Sequence, residues 1–342
     1  MLTKIRFQNF RGFQDLSISP LKRVNLLIGS NGSGKTCVLE GLYLLLANSV
    51  EEVAEFPSVL RIEPGGGGGE DAFENFWKWV FYDRNARSGL RIEARLEDGA
   101  DVSLCFSENK GRFEATRRTP LEGGQAVFET PEDTRLFFSV SPAGRLELGT
   151  SLGTVPKARV LAARWTDPTR DAELFSFVAM QKDGEHKMEE LMRVVEPRLA
   201  RLRYARLPGC SSPLVYADVG LSAAIPFTQM GQGFSRILHL YCQVQAAQAQ
   251  VLLVDEIENG IYHEALPQFW KGLLALCDTA NVQVFATTHS RECMMAADAA
   301  ARARPSYDLS FVRLDRLETG IKATVLNDQT MKTAREFNWE MR

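Results

Sequence analysis

A chain of 342 residues, 45% of them hydrophobic, carries enough apolar side chains for one large core or two lobes. The formal net charge of −3 gives no global pull toward nucleic acid or an anionic membrane, so any DNA contact has to come from a local patch. Apolar runs such as Leu42–Ala47 are far too short to span a bilayer, and the start MLTKIRFQNFRGF lacks the apolar stretch of a secretion signal.

The N-terminus alternates as a strand does. Leu2, Ile5 and Phe7 lead to a turn at Asn9–Gly12, and Leu16 and Ile18 mark a returning strand. Val24–Ile28 is a continuous apolar run, which predicts a buried central strand. A glycine-rich turn follows, then a helix over about 35–47 with Val38, Leu39, Leu42, Leu45 and Leu46 at helical spacing. Residues 48–72 show little periodicity and include the glycine run Gly65–Gly69, read as a surface loop. Phe73, Phe76, Trp77, Val80 and Phe81 recur at i, i+3, i+4, i+7 and i+8, which predicts a short amphipathic helix whose aromatic stripe faces the core. The runs LRIEARL, DVSLCF, TRLFFSV and ARVLAARW then have the composition of strands. Two helices broken at Asp183–Gly184 come next, followed by strands near 202–206 and 213–218 and again near 310–326. No heptad persists long enough for a coiled-coil arm. The six cysteines are scattered without a CxxC pair, a pattern that suits free thiols in a reducing compartment and a cytoplasmic location.

Four motifs carry chemistry. Gly29-Ser30-Asn31-Gly32-Ser33-Gly34-Lys35-Thr36 fits G-x-x-x-x-G-K-[ST], with a buried strand before it and a helix after it. Amides of Asn31, Gly32, Ser33, Gly34, Lys35 and Thr36 curl around phosphate oxygens in such a loop. Lys35 neutralises the β- and γ-phosphates of ATP, and the Thr36 hydroxyl ligates Mg²⁺. Val251–Val254 delivers Asp255 and Glu256 at the carboxyl end of a buried strand. Asp255 is placed to hold Mg²⁺ and Glu256 to polarise the attacking water as general base. The strand Gln283–Thr287 ends in Thr288-His289, where His289, 33 residues beyond Glu256, is placed to sense a γ-phosphate. The fourth motif, Met230-Gly231-Gln232-Gly233, opens a helical stretch over about 235–250. Its glycines expose amides to a second anion, and the simplest such anion is the γ-phosphate held by another subunit.

In this order the motifs resemble an ABC-type ATPase head of the SMC, RecF and OLD (overcoming lysogenization defect) superfamily. The likeness is nearest to compact stand-alone prokaryotic "AAA family ATPases" that have an OLD-like ATPase domain and no Toprim domain. IRFQNFRGFQDLSI, LAARWTDPTRDAELFSFV, DEIENGIYH and the closing FNWEMR carry the likeness. It implies an α/β, P-loop NTPase fold, a two-lobed ABC-type head with a β-rich N-terminal lobe and a helical insertion. Along the chain it implies N-terminal strands and P-loop over 1–50, a variable insertion over 50–155, and a C-terminal lobe over 155–342 with signature, DE pair and switch histidine.

The resemblance also implies that Arg11 lies near the nucleotide, the alternative being a surface arginine. Gly231, Gln232 and Gly233 form the signature loop, with Met230-Gly231 where the family has Leu-Ser. Asn259 either bridges two sites across a homodimer or is a plain turn residue, and Gln181 is a positional candidate for the Q-loop glutamine. It implies a homodimer with composite ATP sites, a separate effector such as a nuclease, and DNA-linked work in anti-phage defence or genome maintenance, with no membrane. Intrinsic nuclease activity of the Toprim kind needs a D-x-D pair, which the sequence lacks. The cluster Arg193, Arg198, Arg201, Arg203 and Arg206, with Arg117–Arg118, is either a solvated face or a contact for double-stranded DNA in a RecF-like clamp.

Overall fold

The computed structural model describes residues 1–60, 76–109, 112–119, 134–141, 146–149, 155–163, 167–209, 211–246, 249–326, 328 and 330. The glycine run Gly65–Gly69, Phe73, Cys210 and the closing FNWEMR lie outside them.

β1 (Leu2–Phe10) and β2 (Phe13–Ile18) form a hairpin, and β3 (Val24–Ile28) leads into α1 (Lys35–Leu46). α2 (Val50–Val59) follows. β4 (Leu90–Leu96), β5 (Asp101–Asn109), β6 (Arg112–Arg118), β7 (Thr134–Val140) and β8 (Leu146–Leu148) then continue antiparallel from β1, giving a seven-stranded sheet of order β2-β1-β4-β5-β6-β7-β8. The segment 50–155, expected as an insertion, thus extends the sheet that the N-terminus begins.

The second sheet carries the motifs. β9 (Ala158–Leu161), β13 (Val251–Val254), β14 (Gln283–Thr287), β3 and β15 (Leu309–Leu317) run parallel, and β16 (Gly320–Leu326) closes the edge antiparallel, in the order β16-β15-β3-β14-β13-β9. Sequence halves are therefore not spatial halves, because β3 lies between two strands from beyond residue 280. α3 (Pro168–Ala179), α4 (Gly184–Met192), α5 (Gln232–Gln245), α6 (Leu266–Thr279) and α7 (Arg291–Arg302) complete the helices. A small antiparallel sheet, β10 (Arg201–Ala205), β11 (Leu214–Asp218) and β12 (Ile225–Pro226), sits beside them.

The motif strands are apolar throughout because both faces are covered. Their two-residue period divides each strand between two cores. Val24, Leu26, Leu252, Val254, Val284 and Ala286 face the core shared with α3–α7. Leu27, Val251, Leu253 and Phe285 face the core shared with α1 and the seven-stranded sheet. Buried Gln283 ties the layers together: its Oε1 accepts from the Leu2 amide at 2.8 Å, and its Nε2 donates to the Leu2 and Lys22 carbonyls, each at 2.8 Å.

Three local expectations change. Trp77–Val80, Tyr82–Arg84 and Ala86–Ser88 are 3₁₀ turns, not one amphipathic helix. Phe81, still within the expected helix, takes extended backbone at φ −86° and ψ 145°, and Asp83 and Arg84 beyond it are left-handed at φ 50° and 56°, so no helix continues through the segment. Trp77, Val80 and Phe81 are nonetheless core, as the stripe implied. α2 replaces part of the aperiodic stretch, with Ser49 capping the Glu52 amide at 3.2 Å. The signature helix starts at Gln232 and ends at Gln245, earlier at both ends than its apolar spacing indicated.

Candidate functional site

The parallel strands β3, β13 and β14 end at one edge, so the three loops that follow them converge. They border a cavity of about 470 Å³ lined by Gly12, Asn31, Gly32, Gly34, Lys35, Thr36, Cys37, Leu60, Asp255, His289 and Ile321. A second cavity of about 260 Å³ lies behind the P-loop, between Ile28–Asn31 and Thr288, His289 and Met294.

The P-loop has its curl because two positions refuse a side chain. Gly34 caps α1 at φ 95°, and a Cβ there would stand 2.6 Å from the Phe13 ring. Gly29 sits at φ 136°, where a Cβ would meet the Leu314 carbonyl oxygen at 2.3 Å. Lys35 is 5% exposed and curls back over the loop, its Nζ donating to the carbonyls of Gly29 at 2.8 Å and Ser30 at 2.9 Å. Burial pushes its pKa below the ordinary 10.5, and the carboxylates of Asp255, Glu258 and Glu256 oppose that shift.

A chain of hydroxyls fixes the acidic pair. Asp255 Oδ1 accepts from Thr36 Oγ1 at 3.3 Å and from Thr287 Oγ1 at 2.7 Å. Thr287 Oγ1 in turn accepts from the Glu256 amide at 2.8 Å. Glu256 is exposed and adopts φ 49°, a left-handed conformation that costs a non-glycine residue about 1–2 kcal/mol. His289 is exposed and lines both cavities, while its amide and that of Ser290 donate to Glu258 Oε1 at 2.9 and 3.2 Å. Thr287 was not singled out from the sequence, and Glu258 was read there only as part of DEIENGIYH, in the loop Glu258-Asn259-Gly260 that the resemblance implies at a dimer interface. Thr287 occupies the last strand position before the Thr-His pair, and Glu258 follows the DE pair by two residues, which is the signal available.

The signature loop lies apart. Gly231 and Gln232 are exposed and neither they nor Gly233 lines either cavity. Gly233 packs backbone to backbone against the loop after the DE pair; a Cβ on it would stand 2.1 Å from the Gly260 carbonyl oxygen. The nearest hydroxyl, on Ser235, turns inward to the Phe227 and Gly231 carbonyls, both at 3.3 Å. Arg236, one turn into α5, donates to the carbonyls of Ala162 and Ala163, each at 3.1 Å, to that of Glu256 at 2.8 Å, and to that of Asp255.

Other expected residues are elsewhere. The Arg11 side chain lines neither cavity, although its neighbour Gly12 borders the larger one, and it is not a surface arginine. Its guanidinium pairs with Glu40 of α1 at 3.2 Å, with the two side chains 8% and 2% exposed, and lies over the Phe56 and Phe76 rings. The aromatic pocket in the N-terminal lobe captures it. Gln181 donates to the Gln245 carbonyl at 3.1 Å, at the far end of α5 from the glycines, so it is not placed as a Q-loop glutamine. Asn259 donates to the Ala163 carbonyl of its own chain at 3.0 Å.

The basic cluster is largely neutralised. Arg193 holds the Leu199 and Ala200 carbonyls, Arg198 pairs with Glu196 at 2.9 Å, and Arg203 pairs with Asp218 at 3.4 Å. Arg117 is buried over the Phe137 ring with its guanidinium on the Ala47 carbonyl. No helix among the described residues is long and apolar enough to cross a membrane.

A P-loop, a DE pair and His289 at the ends of neighbouring parallel strands, with a glycine-opened helix set apart from them, define an ABC-type ATPase head of the SMC and RecF kind. Its activity is ATP hydrolysis. The chain belongs to the family described as "AAA domain, putative AbiEii toxin, Type IV TA system", whose model matches residues 107–294, and residues 1–96 match the model described as "AAA ATPase domain". The crystal structure of an SmcHead bound to the C-winged helix domain of ScpA superposes with a TM-score of 0.55 at 12% identity, covering 97% of this chain and 99% of that one. An "ATP/GTP phosphatase" of Helicobacter pylori (strain ATCC 700392 / 26695) is 21% identical over 326 residues, 85% of this chain and 86% of that protein. The "DNA replication and repair protein RecF" of Idiomarina loihiensis (strain ATCC BAA-735 / DSM 15497 / L2-TR) is 44% identical over 41 residues, 12% of either chain.

Proposed function

We propose that two copies of this chain close around two ATP molecules, each site joining the P-loop, Asp255, Glu256 and His289 of one copy to Gly231–Gly233 of the other. The observation that supports this most directly is the exposed N-terminus of α5, a 14-residue helix whose glycine end lines neither cavity of its own chain. Such an end presents free amides and a positive dipole to an anion. With Met230-Gly231 in place of Leu-Ser, and Ser235 turned inward, those amides alone grip the neighbour's γ-phosphate.

In each site the amides of 31–36 cradle the phosphates, and Lys35 neutralises the β- and γ-oxygens. Thr36 and Asp255 are hard oxygen donors 3.3 Å apart, a set that fits Mg²⁺. Thr36 and Asp255 would hold that ion, which would supply positive charge to offset that of the phosphate oxygens. Glu256 polarises the attacking water, and His289 senses the γ-phosphate. Closure driven by contacts that exist only in the ATP-bound pair turns nucleotide state into a conformational signal.

The recipient of that signal is a separate effector in a DNA-linked process such as anti-phage defence or genome maintenance. The family description, which names a putative toxin of a type IV system, and the short likeness to RecF support that setting. A RecF-like clamp on duplex DNA is supported less, because Arg193, Arg198, Arg203 and Arg117 already have partners.

The test is Glu256→Gln. With ATP and Mg²⁺ it binds nucleotide, stops turning over and elutes at twice the monomer mass in size-exclusion chromatography with light scattering. A Lys35→Ala variant loses ATP affinity by calorimetry. Mixing Lys35→Ala with Gly231→Val, each inactive alone, restores hydrolysis at the one intact composite site. A Glu256→Gln protein that remains monomeric with ATP, or a mixture that stays inactive, refutes the composite site.

A further inference from the structure

Arg236 sits one turn into the signature helix and is not part of any of the four motifs. Its guanidinium carries five N–H donors in a rigid planar fork. Four carbonyls meet that fork: Ala162 and Ala163, which follow β9, and Asp255 and Glu256, which follow β13. Both strand ends are thereby tied to one side chain of α5.

The surroundings make this tie consequential. Glu256 is held at φ 49° between two restraints, its amide on Thr287 Oγ1 at 2.8 Å and its carbonyl on Arg236 Nη2 at 2.8 Å. The peptide units on both sides of its Cα are therefore anchored, and the direction in which the carboxylate leaves the backbone is set by those anchors. Asn259 shares the Ala163 carbonyl with Arg236, so the loop after the DE pair joins the same cluster. Gly233, three residues earlier on α5, touches Gly260 directly. Burial lowers the Arg236 pKa, and the carboxylates of Asp255, Glu258 and Glu256 oppose that shift.

We infer that Arg236 is the positioning residue of the hydrolytic step: it fixes the left-handed pose of Glu256 and couples that pose to the tip of the signature helix. The inference rests on the reading of Glu256 as general base. It adds a physical link within one subunit between Gly231–Gly233, which meet the neighbour's nucleotide, and the base that acts on the chain's own nucleotide. A lysine in its place keeps the charge but offers a point donor on a flexible stem, so it cannot hold four carbonyls in two directions.

The experiment compares Arg236→Lys and Arg236→Ala with wild type and with Glu256→Gln, in the full chain. Initial rates give kcat and KM for Mg-ATP, calorimetry gives ATP affinity, and thermal melts report folding. Arg236→Lys is expected to lower kcat by about 100-fold, the effect of displacing a catalytic group by roughly 1 Å, with KM, ATP affinity and melting temperature unchanged. The double variant Arg236→Lys/Glu256→Gln is expected to be no slower than Glu256→Gln alone, because the group being positioned is already gone.

Wild-type kcat in Arg236→Lys overturns the inference. So does a fall in kcat matched by losses of ATP affinity and melting temperature, which marks a general structural role. Arg236→Ala leaves four carbonyls without their donor and is the variant that risks misfolding; the lysine variant decides the matter. If Glu256→Gln still turns over normally, the assignment of the base fails and the positioning role fails with it. If Glu256→Gln is inactive while Arg236→Lys is normal, the positioning role fails by itself; the double variant is compared with Glu256→Gln by single-turnover residual rates, and a further fall there also overturns the inference.

Discussion

Replacing Thr287 by valine removes one oxygen and almost nothing else. Thr287 is 1% exposed at the end of β14, and valine matches its shape and its strand preference. The lost hydroxyl donates to Asp255 Oδ1 at 2.7 Å and accepts the Glu256 amide at 2.8 Å. A hydrogen bond to a charged acceptor contributes about 1.5–3 kcal/mol, and a buried donor left without a partner costs about 1–3 kcal/mol. Both losses pass through the same atom, so the lower ends of the two ranges are appropriate, about 2.5 kcal/mol in sum. At about 2 °C per kcal/mol for a chain of this size, Thr287→Val is expected to melt roughly 5 °C below wild type. Turnover is expected to fall more steeply, by about 100-fold, because Asp255 and the backbone of Glu256 are released together. Differential scanning calorimetry and a phosphate-release assay measure the two effects, and Thr287→Ser, which keeps the oxygen, is the control. A Thr287→Val protein with wild-type melting and wild-type turnover refutes the hydroxyl chain as the organiser of the acidic pair.

Two further outcomes follow from the geometry. Gly233→Ala places a Cβ 2.1 Å from the Gly260 carbonyl oxygen, so the helix tip or the loop must shift by about 1 Å; ATPase rates are expected to fall about 100-fold while ATP affinity, read by calorimetry, stays near wild type. Lys35 has a folded-state pKa below its ordinary 10.5, so without nucleotide the unfolded chain binds more protons over the alkaline window beneath 10.5. Stability of the nucleotide-free protein is therefore expected to rise with pH through that window relative to Lys35→Met, as followed by urea unfolding; a flat difference contradicts the burial of the charged lysine.

What the sequence disclosed was what local chemistry decides. The P-loop helix begins at Lys35 as predicted, since glycines at φ 75° and 95° and an apolar 3.6-residue period leave few alternatives. The DE pair and His289 fall at strand ends because continuous apolar runs in a parallel sheet can end nowhere else. α2 was missed: Ser49 and Glu52 stand in the spacing of a capping box, but the weak apolar pattern that follows them read as a loop. Arg11, Thr287 and Arg236 were not legible, because their partners are 29, 32 and up to 74 residues away and only the fold brings them together. The same distance effect hid the partners of the arginine cluster: Arg203 meets Asp218 through the pairing of β10 with β11, which composition does not reveal. The aromatic run from Phe76 fits a helix and a set of tight turns equally well until the extended backbone of Phe81 decides between them.

The strand order has a consequence for how the molecule is made. β3, which carries the P-loop, pairs on one side with β14 and on the other with β15, while β1 is anchored through Gln283. During synthesis β3 emerges long before either partner, and both of its hydrogen-bonding edges stay open until the chain has been made past residue 283. A nascent or prematurely terminated product thus holds the P-loop sequence without a sheet to shape it. The grip on a triphosphate is therefore a product of long-range pairing: the P-loop takes its shape only when β14 and β15, made roughly 250 residues or more after β3, dock on its two edges.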